Sequence, residues 1–449
     1  MRELTHRETL TIGLMLFALF FGAGNMIFPP ALGQAAGTHA WEAMAGFIIT
    51  GVGLPLLGVI ATGMSGGNLQ MLAGRVHPVF GAVFTVVVYL AIGPFLAIPR
   101  TGTVAFEMGV LPFLPESAKT SWVPLFLTTL VYFAVTFWLS LRPSKLVDRI
   151  GKVLTPALLL IIAVMFVQSF LHPIGSAGEP AEAYQSAPFF KGFVEGYLTL
   201  DALAALVFGI VVTSAIEDRG ITGRKKLGWA TVKAGVIAAT GLALVYLALA
   251  YLGVTSHSLG QSENGGQILT TVVQHLFGGK GLLLLGAGVI LACLTTSVGL
   301  VTACSHFFSE RLPGVSYKTM ALILSLFSAA VANVGLTQLI AISVPVLLMI
   351  YPIAIVLMLL SFLHRLFRGY SEVYVGATIA TAIISIVDGL KQFGLSLDGI
   401  TSVFAHLPLY NEGIGWLLPA VCGAAIGFLV GCVRQPGGAK YQETTSGTP

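Results

Sequence analysis

Two stretches of this chain carry backbone and side-chain chemistry where an apolar segment should hold none. The first is Phe20-Phe21-Gly22-Ala23-Gly24-Asn25-Met26-Ile27-Phe28-Pro29-Pro30, which interrupts the apolar run 10–33 near its middle. Glycine weakens a helix interior by roughly 1 kcal/mol relative to alanine, and backbone groups freed inside hydrocarbon must find partners there. An unwound helix offers amide hydrogens at the start of its second half and carbonyl oxygens at the end of its first. It can therefore hold an anion and a cation side by side. That arrangement suits a zwitterion accompanied by a coupling ion, while a glycine-kinked packing helix is the purely structural alternative.

The second stretch is Gly192-Phe193-Val194-Glu195-Gly196-Tyr197-Leu198-Thr199-Leu200-Asp201-Ala202, inside the apolar run 189–216. An ionised aspartate at bilayer depth costs ~2.5–3.5 kcal/mol on insertion scales, so Asp201 needs a cavity or a partner. Bonding to the freed amides of its own helix break would also satisfy it. Arg100 and Glu107 follow Pro94 and Pro99 in a third apolar run, seven residues apart and so on one helix face. They suit an ion pair or an outer gate shared with Glu195, and an arginine reaching toward the headgroups is the competing reading. Cys293, Cys304, Cys422 and Cys432 lie in apolar segments without metal-ligand or CxxC spacing, so neither a disulfide framework nor a zinc site is expected.

The elements that position these residues follow from composition. The 449 residues are 56% hydrophobic and 9% charged, with mean hydropathy +0.90, whereas soluble domains carry about 25% charged residues. This is the composition of an all-α polytopic membrane protein. The apolar run behind the charged N-terminus is too long for a signal-peptide core, so it is expected to be retained as a span. Apolar runs of bilayer length give about twelve spans: 10–33, 40–62, 79–108, 122–141, 147–171, 189–216, 229–254, 281–308, 317–332, 336–362, 372–390 and 414–433. Asn333-Val334-Gly335 is a tight hairpin between the ninth and tenth.

With the N-terminus inside, inner loops hold Arg2, Arg7, Arg75, Arg142, Lys145, Arg149, Lys152, Arg219, Arg224, Lys225, Lys226, Arg311, Lys318, Arg365, Arg368, Arg434 and Lys440. The outer loops hold Lys119, Lys191, Lys280 and Lys391. This imbalance of roughly four to one places both termini in the cytoplasm by the positive-inside rule. Because the basic residues are spread over separate short loops, no nucleic-acid face is expected. The polar stretches 172–188 and 256–280 are external connectors that can serve as lids, and the Gly/Ser/Thr-rich tail 434–449 is expected to be disordered.

Breaks in the first and sixth spans imply five-helix units, and an odd unit repeated in tandem inserts upside down the second time. The expected organisation is 1–171 as a first five-helix repeat and 172–366 as its inverted counterpart. Two additional helices occupy 367–433, before the tail.

The stretch Gly22-Ala23-Gly24-Asn25-Met26-Ile27-Phe28-Pro29 resembles the first-helix motif of sodium-coupled leucine-transporter-fold proteins, with one residue fewer before Phe-Pro. The chain as a whole resembles the bacterial branched-chain amino acid:cation symporters. The stretches 16–25, Phe28-Pro29-Pro30, 51–58, 92–101, 196–204 and Thr295-Thr296-Ser297 carry the likeness. It implies cation-coupled uptake of leucine, isoleucine and valine across the bacterial inner membrane, driven by Na⁺ or, in some members, H⁺. No other cofactor is implied.

Carried over by residue, the resemblance gives the substrate carboxylate to the amides of Ala23 and Gly24 and the ammonium to carbonyls near Phe20 and Thr199. Gly22, Asn25, Tyr197 and Asp201 complete that site. Asn25 either ligates an ion or only pins the unwound backbone. A sodium site is implied from carbonyls of Ala18, Phe21 and Cys293 with the hydroxyls of Thr296 and Ser297, a neutral-oxygen shell suited to a hard cation. Read alone, such hydroxyls bond back to the preceding helical turn.

Carriage of another small solute remains an alternative function. A channel needs polar faces along whole helices, whereas polarity here is concentrated at two breaks. An enzyme needs a nucleophile-base set or a metal motif, and the chain has no His-Glu-x-x-His.

Overall fold

The first helix, α1 (His6–Phe20), starts where Thr5 allows it. The Thr5 hydroxyl accepts from the Glu8 amide at 3.2 Å, and the Glu8 carboxylate accepts from the Thr5 amide at 2.9 Å. This reciprocal box satisfies two amides that the helix start leaves without acceptors. The helix stops because Phe21 and Gly22 are extended, and α2 (Ala23–Ala36) resumes beyond them. The structure is a computed structural model that describes residues 4–64, 68–141, 156, 159–221 and 223–434.

Every described element is helical. The second span is α3 (Ala40–Ile48) and α4 (Leu54–Met64), joined by a π-helical turn over Ile49–Gly53. Pro55 has no amide hydrogen to give the preceding turn, so the backbone widens there. After α5 (Leu69–Gly74), the third span is α6 (Pro78–Leu90) and α7 (Ala97–Gly109), kinked at Gly93-Pro94. Next come α8 (Glu116–Lys119), α9 (Val123–Ser140) and α10 (Leu159–Leu171). The second broken pair is α11 (Pro188–Glu195) and α12 (Asp201–Glu217). Then follow α13 (Arg224–Thr255), α14 (Gly265–Arg311), α15 (Tyr317–Ala332) and α16 (Leu336–Leu363). The chain closes with α17 (Ser371–Gln392), α18 (Asp398–Phe404) and α19 (Leu417–Arg434).

Among the described residues eight helices are long and apolar enough to cross a bilayer, or nine if the bent pair α11–α12 counts as one span. Shorter apolar helices are α10 and α15. The difference from twelve arises because breaks and bends divide or merge segments, so α1, with 15 residues, falls below a spanning length by itself. The hairpin at Asn333-Val334-Gly335 is where expected, with Gly335 at φ 94°. One expectation is corrected: 256–280 is not one polar connector. Ser256–Leu259 forms a 3₁₀ turn and α14 begins at Gly265, capped by Asn264, with a kink at Gly278 where φ is 62°. The helical segment before that kink carries enough apolar residues to bury Ile268, Leu269, Val272 and Val273. The expectations for 142–155 and for the tail beyond Arg434 lie outside the described residues.

Trp41, Trp122 and Trp229 lie 53%, 71% and 61% exposed beside helix starts, the positions that interfacial aromatic belts occupy. Between such ends, large apolar side chains such as Val131, Leu284 and Leu429 face outward.

The chain forms two compact units. The first comprises 1–68 with 86–347, and the second 69–85 with 348–449. Most of both expected five-helix groups thus falls in one unit. The second unit is held by α17 against α19, where Gly423 and Gly427 meet the backbone of Gly376 and Glu372. Small residues four apart let two helices approach closely where lipid gives no hydrophobic drive to associate. In the first unit α2 runs against α13 in the same manner. A Cβ on Gly33 would strike the Ala250 carbonyl, and one on Gly253 would strike that of Pro30.

This packing sets an expectation within one helix. Gly253→Ala should destabilise the purified protein by about 1–3 kcal/mol through overpacking. Gly228→Ala, also in α13 but with open space around it, should be neutral or stabilising by up to about 1 kcal/mol. Thermal unfolding in detergent measures both, and equal shifts would contradict the proposed α2–α13 contact.

Candidate functional site: a cavity between two helix breaks

The break after α1 is stabilised from within. Asn25, in the first turn of α2, accepts the Gly22 amide hydrogen on Oδ1 at 3.0 Å, so a side chain takes up a donor that the extended backbone frees. Its Nδ2 donates to the Asp201 carboxylate and to the Tyr246 hydroxyl. Tyr246, on α13, in turn donates to the same Asp201 oxygen at 2.9 Å. Three segments distant in sequence are thereby tied at one buried point, with Asn25, Asp201 and Tyr246 each 3% exposed or less.

The second break follows a similar logic with different residues. A 3₁₀ turn, Gly196–Thr199, follows α11, and Leu200 then adopts φ 67° and ψ 2° before α12 starts. A left-handed non-glycine residue costs roughly 1–3 kcal/mol and persists only where its surroundings enforce it. Here the Thr199 hydroxyl takes the Asp201 amide at 3.3 Å and donates to the Gly196 carbonyl at 2.9 Å. Asp201 itself occupies the first turn of α12, where the helix dipole favours an anion. From α3–α4, the Thr50 hydroxyl at the π-helical turn bonds the Phe193 carbonyl at 2.7 Å, covering another group near the break.

A cavity lies between the two breaks. Its polar wall is the start of α2 from Gly22 to Asn25, with Thr199, Asp201, Arg100, Thr101 and Thr296; its apolar wall is Leu19, Phe20, Ile92, Ala97, Leu200, Ala204, Phe208 and Leu300. About 380 Å³ of empty space lies between these walls, open solvent at its mouth included. One basic and one acidic side chain face it beside two helix N-termini, so the lining can pair both poles of a zwitterion and bury an aliphatic tail.

The sequence-derived residues divide around this cavity. Phe20, Gly22, Ala23, Gly24, Asn25, Thr199 and Asp201 line it, whereas Tyr197 is buried against Phe193, ring centroids 5.8 Å apart. Thr296 reaches the first break: a Cβ on Gly22 would lie 2.9 Å from its hydroxyl. Cys293 and Ser297 are fully buried in α14 and are not part of the cavity wall, and Ser297 lies beside the Tyr132 phenol of α9. Instead, the Thr295 and Thr296 hydroxyls converge on the Ala292 carbonyl at 2.7 and 3.2 Å. Both are bonds back to the preceding turn of α14, the pattern such hydroxyls adopt within a helix. Ala18 lies in the last turn of α1, and Phe21 is buried with its ring stacked on Phe17.

The three expected gate residues go to different partners. Arg100 donates to the carbonyls of Leu198 at 2.6 Å and Thr199 at 3.3 Å. Glu107 accepts from Asn264 at 3.1 Å and Gln267 at 2.9 Å, fastening the start of α14. Glu195 pairs with Lys191 at 3.3 Å, one helical turn away.

The far end of α2 holds both polar connectors. The Ala181 amide bonds Ala35, the Thr38 amide bonds Gly178, and Gln34 donates to Ser256 at 2.9 Å and Gly260 at 3.2 Å. One half-helix therefore has the cavity at its start and the connectors at its end. Sequence reasoning missed Tyr246, because one tyrosine inside the apolar run of α13 carries no local signal.

A model of the family described as "Branched-chain amino acid transport protein" matches residues 5–433. The chain is 52% identical to the branched-chain amino acid permease BraB of Bacillus subtilis, covering 94% of this chain and 95% of the relative. It is 51% identical to the branched-chain amino acid transport system 2 carrier protein of Pseudomonas aeruginosa, covering 93% and 95%. With the permease BrnQ of Escherichia coli K12 the identity is 46%, covering 93% and 94%. The structure superposes on Mhp1, a nucleobase-cation-symport-1 family transporter solved in a closed conformation with bromovinylhydantoin bound. That match has TM-score 0.61 at 12% identity, covering 95% of this chain and 93% of the other, a likeness of fold.

The Asn25–Asp201–Tyr246 knot should behave as a unit. In a double-mutant cycle, Asn25→Ala and Tyr246→Phe should couple by about 0.5–3 kcal/mol, the range for residues in one hydrogen-bond network. Thermal stability of the two single variants and the double variant measures the coupling. Simple additivity would mean that the two side chains act independently.

Proposed function

Because the chain belongs to the branched-chain amino acid transport protein family, we propose that it carries leucine, isoleucine and valine into the cell in symport with a cation, Na⁺ in preference to H⁺. It is a permease and not an enzyme. The observation that carries the proposal is the cavity at the two helix breaks, with Asp201 and the start of α2 on its polar side and an aliphatic wall opposite. Such a lining fits the α-amino and α-carboxylate groups of an amino acid together with a branched apolar side chain.

The proposed cycle is alternating access in an inverted pair of five-helix repeats, each led by one broken helix, within a twelve-span chain. The likeness of fold to a cation symporter supports this reading. Both termini are assigned to the cytoplasm from the distribution of basic residues, and the bilayer is assigned as the bacterial inner membrane. The α2 half-helix supplies a route for coupling: closure around a substrate at its first turn would pull on the connectors fastened near Gln34, Ala35 and Thr38. Na⁺ enters as co-substrate. Thr296, which faces Gly22 across the first break, is the hydroxyl we assign to it, with the Ala292 carbonyl beside it.

Proteoliposome uptake of labelled isoleucine, with Na⁺ and H⁺ gradients imposed separately, tests the proposal. A Na⁺ gradient should drive accumulation against the isoleucine gradient. Accumulation driven only by H⁺ would assign the ion differently, and equilibration without accumulation would overturn symport.

Two further outcomes are expected in the same assay. Gly24→Leu should abolish uptake at normal membrane abundance, since a Cβ there would already crowd Arg100 and the Thr199 carbonyl. Thr296→Ala should raise the half-saturating Na⁺ concentration by about tenfold or more, as a lost bond to a charged group is worth ~1.5–3 kcal/mol. Ser297→Ala should leave that concentration unchanged.

A further inference from the structure

We infer that Arg100 is the recognition element for the substrate carboxylate: with the first-turn amides of α2 it forms the anionic half of the site, leaving the substrate ammonium to Asp201. The inference rests on the proposed function, in that it takes the ligand of this cavity to be an α-amino acid.

Arg100 is 3% exposed on α7 and lines the cavity. Its guanidinium lies directly against the start of α2, since a Cβ on Gly24 would stand 2.9 Å from Nη2 and 3.2 Å from Cζ. The first amides of a helix have no intrahelical acceptor and carry the positive end of its dipole. Glycine at position 24 thus leaves bare backbone and a full cation on one wall, a pairing whose natural ligand is a carboxylate. The Phe28 ring lies under the guanidinium, 5.2 Å from its centroid, and holds it in place by cation–π contact.

The carbonyls that Arg100 occupies decide where the other pole goes. The Thr199 carbonyl, which the family resemblance gives to the substrate ammonium, already accepts from Arg100 at 3.3 Å, and the adjacent Leu198 carbonyl does so at 2.6 Å. A second cation at Thr199 would meet like charge in a low-dielectric site. Among the residues lining the cavity Asp201 is the carboxylate, so the ammonium pairs there. Bonds between a guanidinium and a carboxylate are roughly twice as strong as those between neutral groups. An arriving carboxylate therefore competes well against the two carbonyls. Its capture loosens the hold of α7 on the α11–α12 break, which links recognition to movement of that break.

Three ligands separate the poles: leucine, isopentylamine, which is leucine without its carboxylate, and 4-methylpentanoate, which lacks the ammonium. Competition against labelled isoleucine on purified full-length protein gives each affinity for wild type, Arg100→Gln and Arg100→Lys. Arg100→Gln should weaken leucine and 4-methylpentanoate by about tenfold or more while changing isopentylamine by less than about twofold. Arg100→Lys should restore part of the loss, because charge returns without the planar fork. Equal weakening of all three ligands, or unchanged leucine affinity, would overturn the inference and reduce Arg100 to a staple for the second break. Should Arg100→Gln not fold, Arg100→Lys decides the question by the same comparison of leucine with isopentylamine. Wild-type protein that binds isopentylamine as tightly as leucine would also overturn it. Absence of isoleucine binding to wild type would instead overturn the functional reading on which the inference depends.

Discussion

Everything at the site depends on satisfying backbone and charge where no water is at hand. Two apolar helices are broken part-way, and each break exposes amides and carbonyls that would cost several kcal/mol apiece if left bare in hydrocarbon. The chain meets this with one buried knot. Asn25 pins the Gly22 amide and reaches Asp201, and Tyr246 reaches Asp201 from α13. The Asp201 carboxyl group is held by neutral donors and by the first turn of its own helix. A buried carboxylate so held is paired well enough to persist and still faces the cavity.

Packing around the knot explains why the breaks remain open without collapsing. Glycines at 33, 253 and 265 bring α2 into near backbone contact with α13 and α14, while glycines at 22 and 24 let the Thr296 and Arg100 side chains lie against its first turn. Close backbone contact replaces the hydrophobic drive that lipid cannot supply between helices. The cost falls on Leu200, forced into a left-handed conformation, and on the π-helical turn at Ile49–Gly53. Strain and irregular backbone at such positions are common where a structure must change shape. The same α2 carries the polar connectors at its far end, so cavity and connectors share one helix.

Charged side chains of α7 serve two places in the first unit. Arg100 covers the carbonyls of the second break, and Glu107, seven residues later on the same helix, covers Asn264 and Gln267 at the start of α14. The two residues share a helix face yet have different tasks, because one covers the second break and the other fastens the entry to α14. Thr296 stands on the opposite side of the first break, against Gly22. The polar groups around Gly22–Asn25 therefore come from α2, α7, α12, α13 and α14, and no single segment could assemble them.

The sequence by itself determined the class, most span positions, the break at Gly22–Asn25 and the exceptional place of Asp201. Each is a local violation of hydrophobic continuity, and such violations are visible in a single stretch of letters. It also marked the hairpin at Asn333–Gly335, since turn chemistry is local. Only the tertiary structure decided the partners. Tyr246 lies 221 residues from the Asn25 it contacts, and nothing in α13 announces it. Helical register is equally silent: of Thr295, Thr296 and Ser297, it is the packing of α14 that brings Thr296 against Gly22 and leaves Ser297 beside Tyr132. The helical turn of 265–277 was concealed by its polar, glycine-flanked start, and burial of one face revealed it. Arg100 and Glu107, read as possible mates, were separated by the carbonyls and amides that each found first. Spacing along a helix fixes which face a side chain shares, while the charge or dipole across the gap fixes what it does there.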